Sequence, residues 1–392
     1  MISSTITVRT IKTFQELENL RTVWESWQDH PNVDFDFFQL ICQVRSEVNC
    51  PHVTVLERDG QPRALLVARC ENTRFFPKIG YLKPIQIPAT VITVLHQGLL
   101  GSFDEEVAEK LVRHLWSVLS SGEADAIVFY QVPEYSPIAR ALLFHGPRWW
   151  CDKRVAWSNH WVMVLPECFD FIQEKLGSKQ RWKIRKRQRE LETAFPERVS
   201  WQWIRSIDDV PDICKRIEEV SSRTYQRGLG AGFIDDEEHR RRFSLFANRG
   251  QLRMQLLEVD NKVRAFWIGE IYNGVFHSSF LGYDPDFRQY EPGTLVFVRL
   301  VGELEREGVR KIDFGLGDGI YKQRYGDECW REATIKLFAP TINGLALRSV
   351  FGIFGFFDRV GRYMLQKVGM LDRLKTGWRR RLESSKLETI EE

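Results

Sequence analysis

Residues 274–328 read GVFHSSFLGYDPDFRQYEPGTLVFVRLVGELEREGVRKIDFGLGDGIYKQRYGDE, a strand, a loop, a helix and a second strand in succession. The strand-like run Val275 to Tyr283 stops at Asp284-Pro285, and a polar loop follows. Pro292-Gly293 then opens an apolar helix of about four turns. A short strand, Lys311 to Gly315, leads into Gly-Leu-Gly-Asp-Gly. A helix beginning at Gly293 presents backbone N–H groups and the positive end of its dipole, so an anion can approach closely there. A phosphate-bearing cosubstrate is the natural candidate; the plainer alternative is that Pro292-Gly293 only turns the chain into its helix.

The polar residues of this stretch have an unusual placement. Strand alternation puts His277, Ser279 and Tyr283 on one face with Leu281, and Phe276 and Phe280 on the other. On the preceding strand, Arg264, Phe266, Ile268, Glu270 and Tyr272 share a face. A polar stripe in an otherwise buried sheet suggests a cleft. Glu270 is costly to bury without a partner, whereas His277 also suits a core histidine bonded to a neighbour. Beyond the second strand come Asp313, Asp318, Tyr321, Lys322 and Arg324. Side chains in that position line the ligand crevice of open sheets. A tyrosine there can donate a proton, and Lys322 and Arg324 can bind phosphate or carboxylate; a solvated loop is the alternative.

The same order of elements occurs earlier in the chain. VLERDGQPRALLVARC, from Val55, aligns without a gap on LLEVDNKVRAFWIGEI, from Leu256, and each segment leads to more strand, a helix and a short strand, AIVFYQV at Ala126 and KIDFGLG at Lys311. This predicts an internal duplication, two similar mixed sheets in tandem. Between them, SKQRWKIRKRQRE (178–190) forms a helix with a cationic face that includes Arg185, suited either to an anionic substrate or to pairing with acids elsewhere. Gly228-Leu-Gly-Ala-Gly232 lacks the preceding strand and following Lys-Ser/Thr of a nucleotide loop, so it is expected to be a mobile cover. From Leu345 onward an apolar stripe (Phe351, Phe354, Phe356, Phe357, Val360, Tyr363, Met364, Leu371) alternates with arginines and lysines. That pattern serves either a helix closing the sheet or a helix lying on an anionic membrane surface.

The composition narrows the class. Lys+Arg of 56 against Asp+Glu of 53 gives a net charge of +3, too little for a protein that coats nucleic acid. The 7 cysteines are scattered and form no Cys-x-x-Cys pair, which argues against a disulfide framework and a zinc site and fits a reducing cytoplasm; no metal is expected. The amino terminus lacks the build of a signal peptide, and no apolar stretch is long enough to span a bilayer. At 392 residues, two domains are expected. Trp149, Trp150, Trp201 and Trp203 could stack on sugars or fill the core.

The run GYDPDFRQYEPGTLVFVRLV followed by KIDFGLGDGIYKQRYGD, with SKQRWKIRKRQRELE upstream, resembles the GNAT-type acyltransferase domain of CelD-like proteins of bacterial polysaccharide biosynthesis. That domain is in turn similar to Fem-type aminoacyl transferases of peptidoglycan. The likeness covers roughly residues 174–336. It implies an α/β (α+β) fold of two tandem GNAT-like mixed-sheet domains with flanking helices (1–166 and 167–343), followed by a basic amphipathic helical tail (344–392). It also implies acyl transfer, usually from acetyl-CoA, to an amine or hydroxyl of a sugar or cell-envelope precursor. The resemblance places the cofactor against Tyr283, Arg288, Gly293 and Thr294, with Glu270 or His277 as base, Tyr321 as acid, and Asp313, Asp318, Lys322, Arg324 and Arg185 toward the acceptor. The loop has a single glycine, Gly293, which leaves aminoacyl-tRNA open as donor. A non-catalytic GNAT-fold subunit held at the membrane by its tail is the third possibility.

Overall fold

The computed structural model describes residues 6–77, 84–145, 155–166, 175–224, 227, 230 and 232–367. They form two compact units. One takes the chain up to His160 and again from Trp330 to Leu371, and the described part of the other is the stretch Trp161–Cys329. Trp149, Trp150 and most of Gly228–Gly232 lie outside the described residues.

In the first unit, β1 (Ile6–Ile11) pairs with β2 (Val48–Arg58), which turns into β3 (Gln61–Phe75) and then β4 (Ile87–Gly101). Helices α1 (Phe14–Glu18), α2 (Arg21–Trp27) and α3 (Phe35–Val44) precede β2 and bury Leu17, Trp24, Phe35 and Phe38 against Val53, Val55, Leu65 and Val67. On the other face α4 (Glu105–Ser120) lays Val107, Leu111, Leu115 and Leu119 on Leu66, Ile92 and Ile127. β5 (Ala126–Pro133) runs parallel to β4, and α5 (Pro137–Phe144) follows it.

The second unit begins in β6 (Ser158–Val164) and continues with α6 (Ser178–Ala194), β7 (Val199–Ile204), α7 (Val210–Ser221) and α8 (Glu237–Asn248). Then come β8 (Leu252–Val259), β9 (Lys262–Tyr272), β10 (Val275–Tyr283), a 3-10 turn (Pro285–Tyr290), α9 (Pro292–Arg306), β11 (Lys311–Leu316) and the short α10 (Ile320–Tyr325). Its strands are ordered β6-β11-β10-β9-β8-β7. The strand-loop-helix-strand expectation for residues 274–328 matches these elements closely.

The chain then returns to the first unit through β12 (Glu328–Phe338), whose register on β5 runs from Glu332↔Pro133 to Phe338↔Ala126, and through α11 (Ile342–Lys367). The division therefore differs from one at residues 166 and 343. Ile335, Leu337 and Ala339 complete the first unit's core, so burying them draws the last strand back. No described helix is long and apolar enough to cross a membrane.

The duplication is visible in backbone detail. The β2–β3 ladder shifts register between Leu56 and Glu57, and the β8–β9 ladder shifts between the aligned Leu257 and Glu258. Both hairpins turn through left-handed residues, Asp59-Gly60 and Asp260-Asn261, a conformation Gly, Asn and Asp tolerate best. A bulge is sensitive to its local sequence, so its recurrence at one aligned position argues for repetition of the whole hairpin.

Candidate active site

β10 and β11 run parallel for three rungs only, Val275↔Lys311, Phe276↔Ile312 and His277↔Asp313. Past the third rung β10 continues to Tyr283 and β11 to Leu316 without pairing to each other, so the two strands part there. At this vertex the Nδ1 of His277 lies 3.4 Å from an Asp313 carboxylate oxygen. Asp313 also accepts the Gly315 N–H at 2.7 Å, which sets the turn after its strand.

A cavity of about 320 Å³ lies by the opening, lined by Trp267, Leu281, Tyr283, Arg288, Glu291 to Thr294, Phe297, Tyr321 and Tyr325. All four residues expected at the cofactor meet there, together with Tyr321. The start of α9 forms one wall, and no side chain caps that helix. Its first turn is less bare than expected. Pro292 has no N–H and Thr294 donates to the Glu291 carbonyl at 2.9 Å, whereas the Gly293 N–H meets no protein acceptor among the described residues. A Cβ on Gly293 would come 3.6 Å from the Tyr283 ring, an ordinary contact, so the glycine keeps this wall thin without being sterically obligatory.

Glu291, ahead of that helix, adopts φ +51, the left-handed backbone a glycine takes most easily. Its carboxylate is held by Lys183 at 2.7 Å and Arg187 at 3.3 Å from α6. Burial would raise its pKa, but the two cations prevail and lower it. The basic helix thus directs part of its charge at the cavity mouth, while Arg185 is exposed to solvent. The loop before α9 is tied down by buried Asp284, which caps the 3-10 turn and takes ion pairs from Arg264 and Arg223, each at 2.8 Å.

The faces of β10 differ from strict alternation. A bulge lies between Ser278 and Phe280, so Leu281 and Tyr283 stand opposite Trp267 and Ala265 on the cavity face, whereas His277 stands opposite Glu270 on the other face. His277 and Tyr283 therefore do not share a face. Glu270 is fully buried and committed: Arg242 of α8 grips its two oxygens at 3.0 Å each, and the Ser279 hydroxyl donates to it at 2.6 Å. A carboxylate with both oxygens so engaged braces α8 against the sheet.

The segment after β11 divides in a similar way. Lys322 does not reach outward. Its buried ammonium donates to the carbonyls of Phe314, Gly315 and Leu316, and burial draws its pKa down to about 8 against the pull of Asp313 and Asp318. It is a brace for the turn that positions Tyr321. The Tyr321 ring packs edge-on against Trp267 and Phe314, with centroids 5.5 Å away in each case. Asp318 and Arg324 are exposed, and Asp318 accepts the Trp161 indole N–H at 3.1 Å.

The first unit has the same skeleton with different chemistry. β4 and β5 also stop pairing early, at Val94↔Phe129, and the β3–β4 shift between Leu66 and Ala68 is the counterpart of the β10 bulge. Aligning those ladders places Thr93 and Val128 where the second unit has His277 and Asp313. The start of α4 is capped by the Asp104 carboxylate and carries Glu105 and Glu106, so an incoming phosphate would meet negative charge. Elsewhere in this unit, unforeseen from the sequence, buried Glu332 lies 3.1 Å from the Nδ1 of His160 and accepts the Trp330 indole N–H at 2.6 Å.

With this geometry in hand, the comparisons with known proteins are specific about fold. The family model for an acetyltransferase (GNAT) domain matches residues 178–323, which hold the opening and every lining residue of the cavity except Tyr325. The structure of FemX is similar at TM-score 0.53 and 10% identity, over 84% of this chain and 97% of that one. A tandem GNAT protein from the clavulanic acid biosynthesis pathway is similar at TM-score 0.52 and 11% identity, over 86% and 100%. No curated protein sequence matches the chain. The protein is a mixed α/β chain of two tandem GNAT-like units, the second of which holds the residues that match the acetyltransferase (GNAT) domain model.

Proposed function

We propose that the second unit is an acyl-CoA-dependent acyltransferase that moves an acyl group, acetyl in the simplest case, to an amine or hydroxyl of a sugar or cell-envelope precursor, as in CelD-like proteins. The observation that carries this reading is the parting of β10 and β11 at His277 and Asp313 beside an uncapped helix start. The residues fit the carrier. The Gly293 N–H and Arg288 suit its phosphates, and the aromatic wall of Trp267, Phe297 and Tyr325 suits its pantetheine arm. The acceptor would approach from the opposite face, where His277 lies.

In this mechanism His277, oriented by Asp313, removes the acceptor proton as the acceptor's nitrogen or oxygen bonds to the acyl carbon. The carbon–sulfur bond breaks, and Tyr321 on the cavity side returns a proton to the thiolate. A backbone N–H of β10 beyond His277 would stabilise the oxyanion. Glu270 is left out because Arg242 and Ser279 occupy it. The first unit, with Thr93 and Val128 at the corresponding rung and three acids at its helix start, is assigned a supporting role.

One observation favours a second donor. Lys179, Arg185, Lys186 and Arg189 of α6 are solvent-exposed, and Trp182 beside them is 57% exposed, a surface that could grip the phosphates of an aminoacyl-tRNA. One experiment separates the two: free thiol released from acetyl-CoA in the presence of a panel of amino sugars, against transfer from charged tRNA. Thiol release that depends on acceptor and on His277 supports the acyl-CoA reading. Transfer from tRNA alone, falling steeply with salt, would replace it.

A further inference from the structure

Helix α11 is docked over its first turns only. Leu347 is buried, and the Phe351 ring packs against Phe75 and Phe338 of the first unit, with centroids at 5.2 and 5.9 Å. Beyond that point the apolar side of the helix faces solvent. Ile353, Phe356, Phe357, Val360, Tyr363 and Met364 are each between 42% and 60% exposed. Their spacing of three and four residues puts all six on one stripe. Single exposed apolar residues are ordinary, but a continuous stripe of six with three aromatics marks a contact surface.

The charges beside it indicate the partner. Arg359 and Lys367 are exposed on the same half of the helix, and Lys367 stands 5.5 Å over the Tyr363 ring. As far as residue 381 the sequence continues with Arg373, Lys375, Arg379, Arg380 and Arg381 against Asp372, and after it with Lys386 against Glu383, Glu388, Glu391 and Glu392. A second copy of the chain pairing through this face would bring Arg359 and Lys367 against cations of their own kind, whereas an anionic lipid surface neutralises them. An apolar stripe with basic flanks, on a helix too polar to span a bilayer, has the build of an interfacial helix.

We infer that the half of α11 from Ile353 to Lys367 lies in the headgroup region of an anionic membrane and holds the protein there. This inference is independent of which acyl carrier the second unit uses. Aromatic and aliphatic side chains enter the acyl boundary, and the arginines and lysines remain among the lipid phosphates.

The test is co-sedimentation of the full chain with phosphatidylcholine vesicles prepared with and without phosphatidylglycerol. The wild-type protein is expected to pellet with the anionic vesicles, to bind the neutral ones far less, and to be released by salt. The exposed pair Phe356→Glu/Phe357→Glu is expected to lose at least tenfold in partitioning with an unchanged melting temperature, and Arg359→Gln about fivefold, the equivalent of roughly 1 kcal/mol per basic residue. Equal binding by wild type and double variant overturns the inference. So does a wild-type dimer in sedimentation velocity that the double variant dissolves while neither protein binds vesicles, since the stripe would then serve a second copy.

Discussion

His277 and Asp313 form the last rung on which β10 and β11 still pair, and their side chains stand 3.4 Å apart at the point where the two strands separate. A carboxylate beside an imidazole can orient the ring toward a reacting amine or hydroxyl. Replacing His277 with Ala should lower kcat about 10²- to 10⁴-fold, the range for a lost general base, and leave carrier affinity unchanged. Asp313→Asn should cost less and change the pH profile of kcat. Steady-state thiol release across pH checks both. An unaltered kcat in His277→Ala would assign the base elsewhere.

Glu270 should behave as a structural residue. It is fully buried and paired through both oxygens, so Glu270→Ala leaves the Arg242 guanidinium without its partner and should cost about 3–5 kcal/mol in urea unfolding. Well below the melting temperature, its kcat should stay within a few fold of wild type. A stable variant with abolished turnover would restore Glu270 to the chemistry.

Glu291 should oppose carrier binding. Its carboxylate lies on the cavity wall and occupies Lys183 and Arg187, which would otherwise face an incoming phosphate. Glu291→Gln should therefore tighten acetyl-CoA binding about threefold to tenfold at low salt, with the gain shrinking as salt rises. Calorimetric titration at two ionic strengths checks this; weaker binding by the variant would mean that the carboxylate positions the loop instead.

Lys322 gives a pH signature of its own. Its pKa is drawn from 10.5 down to about 8 in the folded chain, so between those values the unfolded chain holds more protons than the native one. Stability should then rise with pH across that window and be flat below it as far as this group is concerned. The difference in urea midpoint between wild type and Lys322→Met, followed from pH 7 to 10.5, isolates the effect. Lys322→Met should also lower kcat, because the carbonyls of Phe314 to Leu316 lose the brace that sets Tyr321.

Much of this architecture was legible in residues 274–328, where proline and glycine punctuate two apolar strands and an apolar helix by local rules. That Tyr283, Arg288, Gly293 and Thr294 would come together was legible too, since they flank one helix start. What local pattern could not reveal was the bulge at Ser279, which puts His277 on the face opposite Tyr283. Nor could it show the partners of Glu270, Asp284 and Lys322. Arg242, for instance, is 28 residues from Glu270 and reaches it only through the packing of α8. Such polar residues read as chemistry in a sequence, and only the fold shows the distant groups that hold them. The half-docked α11 lies between these cases: its stripe was plain, but only the packed structure shows which turns the sheet leaves uncovered.

The central claim is that the carrier enters beside the start of α9, and thermal unfolding with acetyl-CoA tests it most directly. At about 100 times its Kd the ligand should stabilise the wild-type chain by about 2.7 kcal/mol. Gly293→Val, which places a branched side chain over the one first-turn amide lacking a protein acceptor, should unfold at nearly the wild-type temperature without ligand and show no rise with it. No rise in the wild type at about 1 mM acetyl-CoA, or an equal rise in Gly293→Val, would contradict the account.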